Sequence, residues 1–289
     1  MRITGAARVA GVMGWPIAHS LSPVLHGFWF ERHGIDGAYV PLPVRPEDAI
    51  TAIRTLPKLG FLGCNVTLPH KEAAFAAVDV RDAVATRMGV VNTVMVQPDG
   101  SLHGTSTDGA GFLANLAEQA PDWRAEQGPA VLFGTGGAAR AVAITLLDAG
   151  VPSMRLINRT EAKAQALACD LRAMFPGRPV EVVAWQERAE GLDGAGLLVQ
   201  CTSLGMKGQP DLDLALDALP GSAPVADLVY TPLETGLLRR ARERGHPVVD
   251  GLGMLLHQAV PGFAHWGGVT PVVDAAARQV VLDVLQKRS

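Results

Sequence analysis

The stretch that decides the fold is Ala130-Val131-Leu132-Phe133-Gly134-Thr135-Gly136-Gly137-Ala138-Ala139-Arg140. An apolar strand pattern stops at Gly134, and a helical pattern follows over Ala138–Ala149. Gly134, Gly136 and Ala139 fit the spacing G-x-G-x-x-G/A, in which the glycines allow a tight turn and close approach to a pyrophosphate, and the small third residue allows helix and strand to pack closely. The N-terminus of such a helix presents N–H groups and a positive dipole end to phosphates. The stretch therefore predicts a dinucleotide-binding turn.

The end of the next strand, Met154–Ile157, carries the residues that select the cofactor. Sites for NAD usually place Asp or Glu there to accept hydrogen bonds from the ribose 2′-hydroxyl. This chain has Asn158-Arg159-Thr160, with Lys163 close behind. An arginine can stack on adenine and bind a 2′-phosphate through a forked contact, so NADP is predicted rather than NAD. The alternative is that Arg159 and Lys163 only form the solvated start of a helix.

Outward from this turn, short apolar runs alternate with amphipathic segments along almost the whole chain, which predicts an α/β fold with mainly parallel sheets. The length of 289 residues suits two domains, and Gln119–Pro129, rich in breakers and charges, marks a break. The predicted strands are Val9–Gly14, Ala38–Leu42, Gly63–Val66, Val90–Val96, Ala130–Phe133, Met154–Ile157, Val180–Val183, Leu197–Gln200, Val225–Leu228 and Pro247–Val249. The predicted helices include Ser22–His33, Pro46–Leu56, Ala138–Ala149, Glu161–Phe175, Gly253–His265 and Pro271–Lys287.

Composition argues against several classes of protein. A net charge of -3 and no basic cluster argue against a nucleic-acid partner. No apolar stretch approaches the roughly 20 residues that span a bilayer, so no membrane association is expected. The 3 cysteines form no CxxC pair and the 8 histidines form no H-E-x-x-H spacing, so neither a disulfide framework nor a metal site is predicted. A cytoplasmic location is expected.

Two serines separated by one residue, Ser20 and Ser22, follow the first predicted strand. A pair of hydroxyl groups at the start of a helix suits a carboxylate ligand. The alternative is that Ser22 caps a helix that starts at Pro23, a residue favoured at the first helical position.

Further polar residues stand at strand ends or helix starts, which are the places where open α/β sheets bind ligands. Lys71 lies in the first turn of a predicted helix, where the helix dipole disfavours a cation, so it is a candidate site residue. The alternative for Lys71 is an exposed surface lysine. Asp108 precedes a helical pattern and could be a plain N-cap. The complete set is Asn65, Thr67, Lys71, Asn92 and Asp108.

Eight motifs in order resemble those of the shikimate dehydrogenase family over nearly the whole chain: G-x-P-x-x-H-S-x-S-P, N-V-T-x-P-x-K, V-N-T, T-D-G-x-G, G-x-G-G-x-x-R, N-R-T, T-S-x-G-M and G-L-G-M-L-x-x-Q. The resemblance implies two α/β domains that face a cleft. Residues 1–107 with 251–289 would form the substrate-binding domain, and residues 108–250 the NADP-binding Rossmann domain.

The resemblance also implies a role for each motif residue. Ser20 and Ser22 would hold the substrate carboxylate, and Lys71 and Asp108 would be the catalytic pair. The ring hydroxyls and carbonyl would be held by Asn65, Thr67, Asn92, Asp108 and Gln258, with Tyr230 near the substrate. NADP would be bound by Gly134, Thr135, Gly136, Gly137, Ala138, Asn158, Arg159, Thr160, Lys163, Thr202, Gly251 and Met254, and Gly253 and Met254 would line the nicotinamide side.

The implied reaction is reversible, NADP-dependent reduction of 3-dehydroshikimate to shikimate, a step of chorismate and aromatic amino-acid biosynthesis. The implied partner is this small molecule, with the chain acting as a monomer or homodimer. The rivals are a quinate/shikimate dehydrogenase that uses NAD and a non-catalytic NADP-binding regulator. Two residues depart from the family pattern: Ser106 replaces the usual Asn beside Asp108 and could alter substrate preference, and Thr135 replaces the usual Ala of the glycine turn.

Overall fold

The structure is a computed structural model and describes residues 3–288. Contacts divide the chain into two compact units, one made of the residues up to Thr107 together with those from Leu255 onward, and one of Asp108–Met254. The domain boundaries predicted from the sequence place the return of the chain to the first unit slightly earlier, at Gly251.

The described residues form the following elements. The strands are β1 (Arg8–Gly14), β2 (Gly37–Pro43), β3 (Phe61–Val66), β4 (Val80–Arg81), β5 (Thr93–Val96), β6 (Leu102–Thr105), β7 (Ala130–Phe133), β8 (Met154–Ile157), β9 (Val180–Val183), β10 (Leu197–Gln200), β11 (Val225–Asp227) and β12 (Val248–Val249). The helices are α1 (Ser22–Arg32), α2 (Ala49–Thr55), α3 (Lys71–Ala77), α4 (Ala83–Met88), α5 (Asp108–Gln119), α6 (Gly137–Asp148), α7 (Glu161–Met174), α8 (Gly236–Glu243), α9 (Gly251–Gly267) and α10 (Ala275–Arg288).

The first unit contains a mixed sheet in the order β2-β1-β3-β5-β6-β4. Strand β1 runs parallel to β2 and β3, whereas β5 runs antiparallel to both β3 and β6. The carboxyl end of β3 therefore lies beside the beginning of β5, and Asn65 pairs with Thr93, which in turn pairs with Thr105. This arrangement brings the polar ends of three strands to one edge of the sheet.

The second unit contains a fully parallel sheet in the order β12-β11-β10-β7-β8-β9. Every residue of β7 is buried, as expected of a central parallel strand with both faces covered. Strand β7 lies in the middle of this sheet and pairs with β8 on one side and with β10 on the other. The glycine turn after β7 therefore stands at the point where the strand order reverses, which is where such sheets bind ligands.

Several elements differ from the sequence-based prediction. Strand β5 begins at Thr93 and not at Val90, because the Val91 amide donates to the Lys71 carbonyl. The predicted helix Pro46–Leu56 is a 3-10 turn, Pro46–Asp48, followed by α2. Strands β4 and β6 and helix α8 were not predicted. Within residues 3–288, no helix combines the length and apolar character needed to cross a membrane.

A buried aromatic cluster packs the first unit around His26 of α1. The imidazole stacks on the ring of Tyr39 with centroids 3.9 Å apart and planes 2° apart, and Trp29, Phe263 and Trp266 surround it at 5.5–5.8 Å. Neither ring nitrogen of His26 has a hydrogen-bond partner among the described residues. Burial lowers the pKa of His26 from 6.5 to about 3, so the ring is neutral in the folded protein.

The His26 environment predicts a loss of stability in acid. His26 of the unfolded chain takes up a proton as the pH falls below 6.5, whereas His26 of the folded protein does so only near pH 3. The stability that depends on neutral His26 is therefore fully present above pH 6.5 and is lost as the pH falls from 6.5 to about 3. Between these pH values the free energy of unfolding should fall by about 1.4 kcal/mol per pH unit. Urea unfolding followed by tryptophan fluorescence between pH 7.5 and 4 should show a shallower loss in His26→Phe than in the parent. Parallel pH profiles of the two proteins would contradict the assignment.

Candidate active site

The side chain of Asn92, just before β5, is held by hydrogen bonds to its oxygen. Asn92 Oδ1 accepts from the Thr93 hydroxyl at 2.9 Å, the Thr107 amide at 2.9 Å and the Thr107 hydroxyl at 3.2 Å. A backbone amide can only donate, so the atom that faces it must be the oxygen. The oxygen end of the Asn92 side-chain amide is therefore fixed toward Thr93 and Thr107.

Asn65, at the end of β3, is oriented by Tyr39 of β2. The Tyr39 hydroxyl donates to Asn65 Oδ1 at 2.6 Å, and Asn65 Nδ2 donates to the Thr93 hydroxyl at 3.0 Å and the Asn92 carbonyl at 3.4 Å. Burial raises the pKa of Tyr39 well above 10, so the phenol stays protonated and remains a donor. Tyr39 therefore fixes the oxygen end of the Asn65 amide, and the nitrogen end holds the segment that carries Asn92.

Lys71 is the first residue of α3 and is half-buried. The residue before it, His70, is 1% exposed, and its Nε2 lies 2.8 Å from the Val44 carbonyl, to which it must donate. The Lys71 carbonyl accepts from the Val91 amide at 3.1 Å. The His70 bond attaches the start of α3 to Val44, the residue after β2, and the Lys71 bond attaches it to the segment that carries Asn92.

Ser20 and Ser22 lie between β1 and α1. The Ser20 hydroxyl accepts from the Ser22 amide at 3.3 Å. Helix α1 begins at Ser22 with Leu21 as its N-cap, and no side chain caps it, so the alternative that Ser22 is a capping residue is wrong. An added Cβ at Gly14 would lie 2.6 Å from Thr67 Cγ2, so this glycine lets the end of β1 and Thr67 approach each other closely.

Gln258, a predicted site residue, and Ser106, a departure from the family pattern, also belong to the first unit. Gln258 of α9 donates from Nε2 to the Leu255 carbonyl at 3.0 Å. Ser106 is 4% exposed, and its hydroxyl has no hydrogen-bond partner within residues 3–288. The departure at Ser106 therefore places a small buried hydroxyl group directly before the Thr107 that holds Asn92.

The glycine turn of the second unit has the geometry that the motif predicts. Gly134 has φ +101°, and an added Cβ would meet Thr202 Cγ2 at 3.0 Å. Gly136 caps α6 without a side-chain bond, and an added Cβ at Gly136 or Gly137 would meet nothing within 4 Å. Ala139 is fully buried, as the third position of the motif requires. The turn therefore leaves open space in front of the uncapped N-terminus of α6, which fits a pyrophosphate.

The segment after β8 presents two cations. Asn158 is half-buried and its Nδ2 donates to the Thr160 carbonyl at 2.8 Å, which shapes the turn. Arg159, Thr160 and Lys163 are exposed, and Thr160 is the N-cap of α7 without a side-chain bond. The chain has no acidic residue between the end of β8 and Thr160, so a 2′-phosphate would meet positive charge and hydrogen-bond donors here.

Two buried polar residues that the sequence analysis missed shape the loops after β10 and β11. Gln200, fully buried at the end of β10, donates to the Thr202 hydroxyl at 2.8 Å and accepts from the Thr202 amide at 3.0 Å. Asp227, at the end of β11, accepts from the Val229 amide at 3.0 Å and the Thr235 hydroxyl at 2.7 Å. A polar residue that closes an otherwise apolar strand is the signal that could have revealed both.

Burial raises the pKa of Asp227 to about 7. Its two hydrogen bonds hold the beginning and the end of the loop that carries half-buried Tyr230. Asp227 therefore shapes the Tyr230 loop from inside the protein.

Asp108 is the first residue of α5 and is 7% exposed. A carboxylate in the first turn of a helix interacts favourably with the helix dipole. An added Cβ at the next residue, Gly109, would lie 1.9 Å from the Thr145 hydroxyl of α6, so α5 and α6 pack very closely at this point. Asp108 is thereby held at a defined position relative to the glycine turn.

Comparison with known proteins decides the family. A family model described as the shikimate dehydrogenase substrate binding domain matches residues 12–94. Proteins called shikimate dehydrogenase (NADP(+)) from Paramagnetospirillum magneticum and Rhodospirillum rubrum are 56% and 58% identical over 280 residues, covering 97% of this chain and 100% and 99% of theirs. The chain belongs to the shikimate dehydrogenase family.

Solved structures confirm the predicted fold class of this family member. The shikimate dehydrogenase of Thermus thermophilus, in complex with NADP(H) and shikimate, has a TM-score of 0.82 at 35% identity and covers 98% of this chain and 100% of its own. Quinate dehydrogenase from Corynebacterium glutamicum, in complex with NAD, has a TM-score of 0.89 at 29% identity, with 96% and 99% coverage. The resemblance inferred from the motifs is thus confirmed.

Proposed function

We propose that the chain is an NADP-dependent shikimate dehydrogenase that reversibly reduces 3-dehydroshikimate to shikimate. The observation that carries the proposal is identity of 56–58% over nearly the full length to proteins with this name. The proposal assigns substrate binding to the first unit and NADP binding to the second. It also includes a cytoplasmic location, which free cysteines at Cys64, Cys169 and Cys201 suit, and a monomeric or homodimeric state without nucleic acid or membrane.

The second unit has features that suit the cofactor in two places. The open space beside Gly136 and Gly137 suits the pyrophosphate, and Arg159 and Lys163 suit the 2′-phosphate. Gly134, Thr135 and Ala138 complete the turn, while Thr202, Gly251 and Met254 are assigned to the nicotinamide half. NADPH, when bound, supplies the hydride for the substrate carbonyl carbon.

The residues of the first unit then bind the substrate and handle the proton. Ser20 and Ser22 hold the carboxylate, and Asn92 binds a ring oxygen. Lys71 donates a proton to the carbonyl oxygen as negative charge develops there, and solvent restores the proton. Asp108 is assigned to a substrate hydroxyl as the second catalytic residue, and the remaining ring contacts are assigned to Asn65, Thr67, Tyr230 and Gln258.

The test is a comparison of initial rates with NADP or NAD, each with shikimate, quinate or no substrate. The proposal expects the highest kcat/KM for shikimate with NADP and no reduction without substrate. A higher kcat/KM for quinate with NAD would overturn it, and no reduction under any condition would favour the non-catalytic regulator.

Structural similarity to a quinate dehydrogenase crystallised with NAD keeps that activity as a second candidate. The residues after β8 argue against it, because NAD sites usually hold a carboxylate there and this chain has Asn158-Arg159-Thr160. Buried Ser106 in place of the family Asn bears on the substrate choice, which the quinate arm of the assay measures.

Tyr39 should affect substrate binding although it is buried. Tyr39→Phe keeps the stack on His26 but removes the bond to Asn65 Oδ1. A lost hydrogen bond of about 0.5–1.5 kcal/mol should raise the shikimate KM about 2- to 12-fold. The NADP KM of the same variant is the internal control and should stay at the parent value. An unchanged shikimate KM in a folded Tyr39→Phe protein would show that Asn65 does not need this bond.

A further inference from the structure

We propose that Asn115 is a positioning residue that holds the Gly251–Met254 turn, defined as the first four residues of α9, against α5. The inference rests on the proposed function, which assigns this turn to the nicotinamide side of the cofactor. Asn115 lies on α5 and is 1% exposed. The relevant contacts all lie within Asp108–Met254.

The hydrogen bonds of Asn115 lead directly to the residue before this turn. Asn115 Nδ2 donates to the Asp250 carbonyl at 2.7 Å. Gln119, one helical turn further along α5, donates to Asn115 Oδ1 at 2.6 Å, and its own Oε1 accepts from the Asp250 amide at 3.4 Å. Because a carbonyl only accepts and an amide only donates, the orientation of both side-chain amides is determined. Asp250 is therefore held through both of its backbone groups.

The turn itself touches Asn115 without any intervening atom. An added Cβ at Gly253 would lie 1.7 Å from Asn115 Oδ1 and 2.5 Å from its Cγ, and an added Cβ at Gly251 would lie 2.4 Å from the Leu228 carbonyl. Neither glycine has a positive φ, so close packing and not backbone conformation requires them. The turn is enclosed between Asn115 on one side and the residue after β11 on the other.

Helix α5 connects this contact to the catalytic end of the unit. Asp108 and Asn115 are seven residues apart on α5, about two turns and roughly 10 Å, so both lie on the same face of the helix. Gly109 packs α5 against α6, the helix that starts at the glycine turn. The side chain of Asn115 therefore sets the position of the Gly251–Met254 turn relative to Asp108.

The test is a double-mutant cycle of Asn115→Ala and Gly253→Ala, read out by NADPH fluorescence titration and by kcat. Gly253→Ala should weaken NADPH binding at least 10-fold because its Cβ collides with Asn115. Asn115→Ala should weaken binding about 3- to 10-fold, the scale of a lost buried hydrogen bond. The double variant should bind NADPH more tightly than Gly253→Ala alone, because the collision is gone.

Leu171→Ala is the control for lost stability, since Leu171 is fully buried on α7 and the proposal gives it no role. It should lower the melting temperature but leave NADPH affinity at the parent value. The inference is overturned if Asn115→Ala behaves like Leu171→Ala, or if the double variant is no better than Gly253→Ala. A parent protein that does not bind NADPH would overturn the proposed function and this inference together, whereas failure of the cycle alone leaves the proposed function intact.

Discussion

Lys71→Met is expected to lower kcat by about 10²- to 10⁴-fold, with a smaller change in the shikimate KM. The substitution keeps much of the aliphatic stem but removes the charge and the proton. Charge on the carbonyl oxygen is greatest in the transition state, so the lost interaction affects kcat more than ground-state binding. Steady-state kinetics at saturating NADP measure both constants.

The matched control is Lys58→Met, which removes an exposed lysine from the same unit and should leave kcat within about two-fold, the usual range for surface changes. If Lys71 is only a surface residue at a helix start, Lys71→Met will turn over like this control.

Asp108→Asn should also be slow. Its combination with Lys71→Met should lose less than the product of the single losses, because residues that act as a unit are not additive.

Arg159→Ala is expected to raise the NADP KM by about 10- to 150-fold and to leave the NAD KM nearly unchanged. A forked, charge-assisted bond to the 2′-phosphate corresponds to about 1.5–3 kcal/mol, and NAD has no 2′-phosphate with which to form it. The measurement is the ratio of the NADP KM to the NAD KM, both determined at saturating shikimate. Lys163→Ala should change the same ratio in the same direction but less, because lysine interacts as a point charge.

Arg239→Ala serves as the control for Arg159→Ala, because Arg239 is also exposed on the second unit and has no proposed contact with the cofactor. Its NADP KM should match the parent. Equal effects of Arg159→Ala on NADP and NAD would contradict the assignment and would leave Arg159 as part of a solvated helix start.

The strands of the second unit were predictable because their signal is local. Ala130–Phe133, Met154–Ile157, Val180–Val183 and Leu197–Gln200 have the predicted limits, since each is a short apolar run bounded by turn residues or charges. The glycine turn was predictable for the same reason. Strand β4 carries no apolar run and both of its residues are exposed, so it has no clear pattern in the sequence. Helix α8 differs, because its buried Leu237, Leu238 and Ala241 alternate with charged residues in an amphipathic pattern that could have revealed it.

For the candidate site, the sequence determined which residues have the right chemistry and the family that they indicate. Ser20, Lys71, Asp108 and Arg159 were identified from local features such as paired hydroxyls, a helix start or a strand end. Motif order then identified the family, which the comparisons confirm. The individual roles stay predictions, and the experiments on Lys71 and Arg159 test two of them.

Only the tertiary structure decided how these residues are held. Tyr39 reaches Asn65 across 26 positions of the sequence, and Asn115 reaches Asp250 across 135. Gly251 and Gly253 are required by neighbours that are distant in the chain and not by their own dihedral angles. Such contacts leave no periodic pattern, because a hydrogen bond or a close approach between distant segments depends on where folding brings them. The local sequence thus determined the candidate chemistry, and long-range packing decided its orientation.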